Sequence, residues 1–158
     1  MRCSLSLQIA SCRGVGFARI QPGTQQRRTP HVHPEMPRAP TILLVDDESD
    51  LRDIIVAILA APGYEVLSVS DPYEAIRILV SRHVDLLLTD IRLPGLDGFE
   101  LARQAKLMRP RLHVIYISGY SAESEREKGP TNGLLLPKPI RMGELLGAVN
   151  RELGLSAG

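Results

Sequence analysis

From residue 41 onward the sequence predicts an α/β domain: a doubly wound, five-stranded parallel sheet with helices on both faces. Three observations carry that prediction. Apolar runs of strand length recur and alternate with stretches whose apolar residues fall at helical spacing. The links between them are short, so successive strands connect by right-handed crossovers and lie parallel. The strand-type runs are apolar throughout, as strands covered on both faces must be.

Thr41 to Val45 is the first strand and runs into Asp46-Asp47-Glu48. Ser49 or Asp50 then caps a helix, whose apolar positions are Leu51, Ile54, Ile55, Ile58 and Leu59 and which Pro62-Gly63 stops. Tyr64 to Val69 is the second strand. Asp71-Pro72 opens the second helix, with proline near the first helical position and Ala75, Ile76, Leu79 and Val80 on the apolar face. The third strand, Val84 to Asp90, ends on a carboxylate where an apolar run should end on something neutral. Pro94-Gly95 and Asp97-Gly98 follow it as turn signals. Phe99, Leu101, Ala102, Ala105 and Leu107 mark a third helix, ended by Pro110. Leu112 to Ile117 is the fourth strand and delivers Ser118-Gly119-Tyr120. Ser121 to Asn132 is highly charged and holds Gly129-Pro130, so a helix there would be short and nearly without an apolar face. Gly133 to Leu136 is the fifth strand, running into Pro137-Lys138-Pro139. Ile140, Met142, Leu145, Leu146, Val149 and Leu153 line the last helix, and Gly154 to Gly158 is a tail with no room for an output domain.

Apolar residues at 44% and charged residues at 23% are ordinary for a soluble protein. The absence of tryptophan and an aromatic content of 4% argue against a stacking surface for single-stranded nucleic acid. Cys3 and Cys12 lie outside the predicted domain, which therefore has no disulfide framework and no thiolate metal site, as suits the cytoplasm. No apolar run approaches the roughly 20 residues that span a bilayer. The net charge of +1 hides an asymmetry: residues 1–40 hold six arginines against Glu35, whereas residues 41–158 hold 17 acids against 13 lysines and arginines. An acidic body behind a basic leader is not a nucleic-acid-binding domain.

Residues 1–40, rich in Arg, Ser, Gln and Pro, have no lasting apolar period and are expected to be disordered. Two sharper readings are weaker. Ile9-Ala10-Ser11-Cys12 resembles a lipoprotein cleavage site behind too short an apolar run, and the Arg-rich composition resembles a transit peptide. Met36, just before the first strand, looks like a natural start, which would make the first 35 residues non-native.

In such a sheet the carboxyl ends of the strands share one edge, where ligands bind. That edge receives Asp46 and Asp47 from strand one, Asp90 from strand three, Ser118 from strand four and Lys138 from strand five. Crowded carboxylates raise one another's pKa unless a cation joins them, and hard oxygen ligands without His or Cys favour Mg²⁺. An ammonium and a hydroxyl are what a transferred phosphoryl group also needs, and Asp is a known nucleophile for it. Each residue has an ordinary role as well. Asp90 could open a turn, the acids after strand one suit a helix start, and Ser118-Gly119 is a common turn pair. Lys138 between two prolines is odder, because the rings restrict its backbone. Together, in order on the right strand ends, they point to phosphorylation of one Asp assisted by Mg²⁺ and Lys138.

Residues 41–153 resemble the response-regulator receiver domain of two-component phosphorelays. The matching motifs are Ile42-Leu43-Leu44-Val45-Asp46-Asp47-Glu48, Asp90 with Leu93-Pro94-Gly95-Leu96-Asp97-Gly98, Ile117-Ser118-Gly119-Tyr120, and Pro137-Lys138-Pro139. The resemblance implies a flavodoxin-like strand order, 2-1-3-4-5. It implies that Asp90 accepts a phosphoryl group from a partner histidine kinase or phosphotransferase. It also implies that Asp47, Asp90 and the backbone carbonyl of Arg92 ligate Mg²⁺, with Asp46 acting mostly through water. Ser118 would bond the phosphoryl oxygen on activation and Lys138 would pair with it. Where the family often carries a switch aromatic on strand five, this chain has Leu135, with Tyr120 or Tyr116 as a substitute. Ser118-Gly119-Tyr120 and the polar segment after it look more like receivers linked to hybrid sensor kinases than like transcription regulators. Arg92 and Tyr120 flank the expected path of the hydrolytic water, which implies slow self-dephosphorylation.

The expected function is thus a phosphoacceptor switch acting on a downstream protein, not an enzyme beyond its own phosphorylation and dephosphorylation. Its partners would include neither nucleic acid nor membrane, and a phosphorylation-dependent homodimer stays open. The first rival is a degenerate receiver that binds partners without phosphate. The second is an Asp-nucleophile phosphatase or phosphotransferase, against which Arg92 stands where an Asp-x-Asp pair would need its second acid. A nucleotide-binding enzyme is opposed by the lack of a Gly-rich loop after strand one.

Overall fold

Every residue of Thr41–Val45 and of Leu86–Asp90 is buried, which is what an unbroken apolar run becomes when both of its faces are covered. These are β1 and β3, the inner strands of the sheet in a computed structural model that describes residues 38–119 and 133–155. The remaining strands are β2 (Glu65–Val69), β4 (His113–Ser118) and β5 (Leu134–Pro137). The helices are α1 (Ser49–Ala60), α2 (Pro72–Ser81), α3 (Gly98–Met108) and α4 (Met142–Glu152). All strand pairs are parallel and the order is β2-β1-β3-β4-β5, as the sequence implied.

Successive strand side chains point to opposite faces, so each strand feeds two cores. Leu43, Val45, Leu87, Val114 and Tyr116 pack against Ala75 and Leu79 of α2 and Leu101, Ala102 and Ala105 of α3. Ile42, Leu44, Leu86, Leu88, Ile115 and Ile117 pack against Ile55 and Leu59 of α1 and Leu145, Ala148 and Val149 of α4. With β3 central, Asp90 emerges between the ends of β1 and β4, and the carboxyl ends of all the strands meet around it.

The local signals hold with some corrections. Asp71 caps α2 by accepting the Tyr73 amide at 2.9 Å, and Pro72 occupies the first turn. Asp97 caps α3 by accepting the Glu100 amide at 2.8 Å. The cap of α1 is neither Ser49 nor Asp50 but Glu48, whose side chain makes no capping bond. The Asp46 carboxylate accepts the Glu48 amide at 2.8 Å instead, so a residue aimed into the edge also orders the helix start. Four predicted inward positions face outward: Ile54 is 57% exposed, Val80 69%, Leu107 73% and Met142 60%. A helix on a sheet covers one stripe roughly 100° wide, and these residues lie at the stripe's edges. Strand three begins at Leu86 and not Val84, because Asp85 already turns its carboxylate to the Thr41 amide at 2.8 Å. The expectations for residues 1–37, for Tyr120 with Ser121 to Asn132, and for residues 156–158 lie outside the described residues. Among those described, no helix is long and apolar enough to cross a membrane.

Candidate functional site at the carboxyl edge of the sheet

The end of β1 presents Asp46, fully buried, and Asp47, exposed; the end of β3 presents Asp90, also buried. One carboxylate oxygen from each lies within 4.8 Å of the others. The end of β5 brings Lys138 over them, its Nζ 2.5 Å from Asp90 Oδ2 and 3.4 Å from Asp46 Oδ2. The sequence-predicted acids and lysine thus share one cluster. Burial pushes the Asp46 carboxyl above its usual range, against the opposing pull of the Glu48 amide and Lys138, and Asp90's charge adds to the rise. Burial alone would lower Lys138, but its hydrogen bond to Asp90 and the charges of Asp90 and Asp46 outweigh this and raise it, so it stays an ammonium.

Ser118 ends β4, buried, and its carbonyl accepts the Lys138 amide at 2.6 Å. The Lys138–Pro139 peptide is cis. Arg92 is exposed, and its amide donates to Asp90 Oδ1 at 2.8 Å. Leu135 is half-buried beside Tyr116 in the β4–β5 register. The Tyr116 ring meets Phe99 at a centroid distance of 4.9 Å, tilted by 56°. A Cβ at Gly133 would stand 2.5 Å from that ring. Burial, with a smaller contribution from Asp97, pushes the Tyr116 phenol up to about 12. The buried aromatic of this region therefore sits on β4, next to the leucine where the resemblance placed a ring.

Three contributors were not read from the sequence. Arg52 reaches back from α1 to donate to the Asp46 carbonyl at 2.8 Å. The Thr89 hydroxyl donates to the Asp90 carbonyl at 2.9 Å. Gly98 packs on that same carbonyl, where an added Cβ would stand 2.1 Å from the oxygen. Only Gly98 had a signal, the Asp-Gly pair, and it suggested a turn and not a close approach.

An all-oxygen donor set, two of its carboxylates buried and the third open to solvent, fits Mg²⁺, which keeps part of its water and takes one or two carboxylates. Zinc, which prefers nitrogen and sulfur, finds neither here.

A family model for the response regulator receiver domain matches residues 42–150. The chain is 33% identical over 114 residues to the response regulator receiver protein CpdR of Brucella abortus (strain 2308), covering 71% of this chain and 95% of that protein. It is 34% identical to the DNA-binding transcriptional regulator NtrC of Escherichia coli (strain K12), where the match covers 71% of this chain but 24% of the regulator. Among solved structures, a response regulator receiver protein from Sinorhizobium medicae WSM419 superposes with a TM-score of 0.69 at 35% identity, over 74% of this chain and 96% of that one.

Proposed function

The chain belongs to the response regulator receiver family of two-component systems, and on that premise we propose that it is a phosphoacceptor protein phosphorylated on Asp90. The observation that carries this reading is the Lys138 ammonium 2.5 Å from an Asp90 carboxylate that shares its edge with Asp46 and Asp47. In the transfer, an Asp90 oxygen attacks the phosphorus of a phosphohistidine on a partner histidine kinase or phosphotransferase. The O–P bond of an acyl phosphate forms, the P–N bond breaks, and the imidazole nitrogen leaves with the electron pair. Asp47, Asp90 and the Arg92 carbonyl would hold Mg²⁺, with Asp46 acting mostly through water, and the ion would supply the positive charge that lets an anionic group approach three acids. Lys138 supplies a second positive charge and Ser118 a hydroxyl for a phosphoryl oxygen. The Arg92 amide, Thr89 and Gly98 hold the acceptor in place.

Phosphorylation would bias a two-state equilibrium of the face around β4 and β5 and so change what the chain binds. The protein turns over no separate substrate on this reading. On this reading the exposed Arg92, two residues beyond the acceptor, would shield the acyl phosphate from water; a phosphoryl half-life of seconds in the purified protein would count against that role.

Incubation with acetyl phosphate and Mg²⁺ followed by intact mass measurement tests the proposal. One phosphoryl mass should be gained, and lost in Asp90→Asn or with a chelator. A second reading, a phosphate-independent binding module, is favoured by Leu135 and by the charged sequence of residues 121–132 with its Gly129-Pro130. An unlabelled protein beside a labelled control receiver would establish it.

A further inference from the structure

The opposite edge of the sheet has its own composition. Residues 75–84 and 101–112 hold six lysines and arginines and no acid. These stretches contain most of α2 and α3 with the turns that follow them, and both helices run back to the amino edge of the sheet. There Arg109 ties the two helix ends together, donating from Nε to the Leu79 carbonyl at 2.9 Å and from Nη2 to the Arg82 carbonyl at 2.5 Å. Both acceptors are uncharged, so the guanidinium keeps its full positive charge. Arg77, Lys106, Arg109 and Arg111 form no ion pair among the described residues. The nearby Asp85 is already held by Arg38 at 2.8 Å.

Apolar side chains are exposed at the same end: Val80 closing α2, Leu107 and Met108 closing α3. At this end opens a cavity of about 570 Å³ lined by Val84, Pro110, Leu112 and Leu153 together with Arg109, Arg111, His83, His113 and the Arg38-paired Asp85. We propose that this surface docks an acidic segment of a partner protein, an apolar side chain of that segment entering the cavity while its carboxylates meet Arg109 and Arg111. Charge complementarity sets the sign of the partner, and the recess sets its kind. A hollow whose walls combine Val84, Leu112 and Leu153 with two arginines takes a projecting apolar side chain flanked by carboxylates. It mixes charged with apolar side chains, unlike the continuous apolar face with which a helix enters a bilayer. It also has no exposed aromatic on which a nucleobase could stack.

The surface lies on the far side of the sheet from Asp90, so its test is independent of phosphorylation. A fluorescein-labelled peptide of Glu-Asp-Leu repeats is titrated with the full chain and followed by anisotropy. Saturable binding is expected, weakened about tenfold or more in Leu107→Glu and in Arg111→Glu and unchanged in Ile54→Ser, an exposed apolar position on the other helix layer. Replacing the peptide's leucines by serine should weaken binding about as much. The three substituted side chains point outward, and circular dichroism melts confirm that each variant is folded. The proposal is overturned if the peptide does not saturate, if the Leu107 and Arg111 variants bind it as well as the parent, or if the serine peptide binds equally. It is also overturned if duplex DNA or phosphatidylglycerol vesicles bind more tightly than the leucine peptide.

Discussion

Replacing Lys138 by methionine keeps most of the side chain's apolar stem and removes its charge. The ammonium contacts Asp90 at 2.5 Å and Asp46 at 3.4 Å, and the side chains of these acids are 8% and 0% exposed. Breaking a buried ion pair from one side leaves an uncompensated charge and costs about 3–5 kcal/mol. Lys138 is itself 24% exposed, which lets water relieve part of that penalty, so a loss of about 2–3 kcal/mol is expected near neutral pH. That is a large part of the roughly 5–15 kcal/mol that holds a domain of this size together. The pH dependence follows from the two shifted groups. Because the folded Lys138 pKa is raised, its contribution is complete below the ordinary lysine value of 10.5 and fades as pH rises through the folded value. Because the Asp46 pKa is also raised, that acid takes up its proton on acidification before an ordinary aspartate would, and the missing cation matters less. The gap between parent and variant should therefore be widest around neutrality and narrow on both sides. Urea denaturation with a chelator present, repeated across pH, measures it, and added Mg²⁺ should close part of it. A gap below about 0.5 kcal/mol at neutral pH, the ordinary range for a surface substitution, would refute this account of the site. So would a gap that does not change with pH.

Three further outcomes are expected. Gly98→Ala places a methyl 2.1 Å from the Asp90 carbonyl oxygen, so it should destabilise the fold by about 1–3 kcal/mol or more and slow labelling by acetyl phosphate even where the variant is fully folded; parent-like melting and labelling would show that the loop yields freely. In the parent, Tyr116 keeps its proton up to about pH 12, while an unfolded tyrosine loses it near 10; stability should fall by about 2–3 kcal/mol across that window, and Tyr116→Phe should flatten much of the fall in alkaline urea melts. Mg²⁺ at about a hundredfold over its dissociation constant should add about 2.7 kcal/mol to stability, and Asp47→Asn, which removes the exposed carboxylate of the cluster, should shift that titration to higher metal concentration in calorimetry.

The sequence revealed most where a residue's role depends on its position along the chain. A run such as Leu86-Leu87-Leu88 can only be buried on both sides, and Asp90, the first charge after it, can only emerge at the strand's end. Asp71-Pro72 announced its cap because the geometry is local. Roles that depend on what arrives from elsewhere stayed hidden. The α1 cap moved to the Asp46 carboxylate because that side chain is already turned into the edge by Lys138, from the other end of the domain. Helical spacing marked Ile54, Val80 and Leu107 as apolar, but which flank of each stripe the sheet covers is settled by packing. Arg52 and Thr89 carry no motif, since a single hydrogen bond to a carbonyl leaves no pattern in the chain. The resemblance found the missing ring at Leu135, and only the strand register put Tyr116 beside it.

The hydrogen bond from the Lys138 amide to the Ser118 carbonyl, at 2.6 Å, closes the β4–β5 ladder just past its last pair, Ser118 with Pro137. The serine and the lysine that the proposed function assigns to the phosphoryl group therefore share one backbone link. Sliding β4 carries its carbonyl, and with it the backbone that aims Lys138, so an oxygen recruited by one residue repositions the other. The site has fewer mechanical degrees of freedom than side chains. A change meant to retune the serine end alone, by shifting the strand under it, will be felt at the lysine as well.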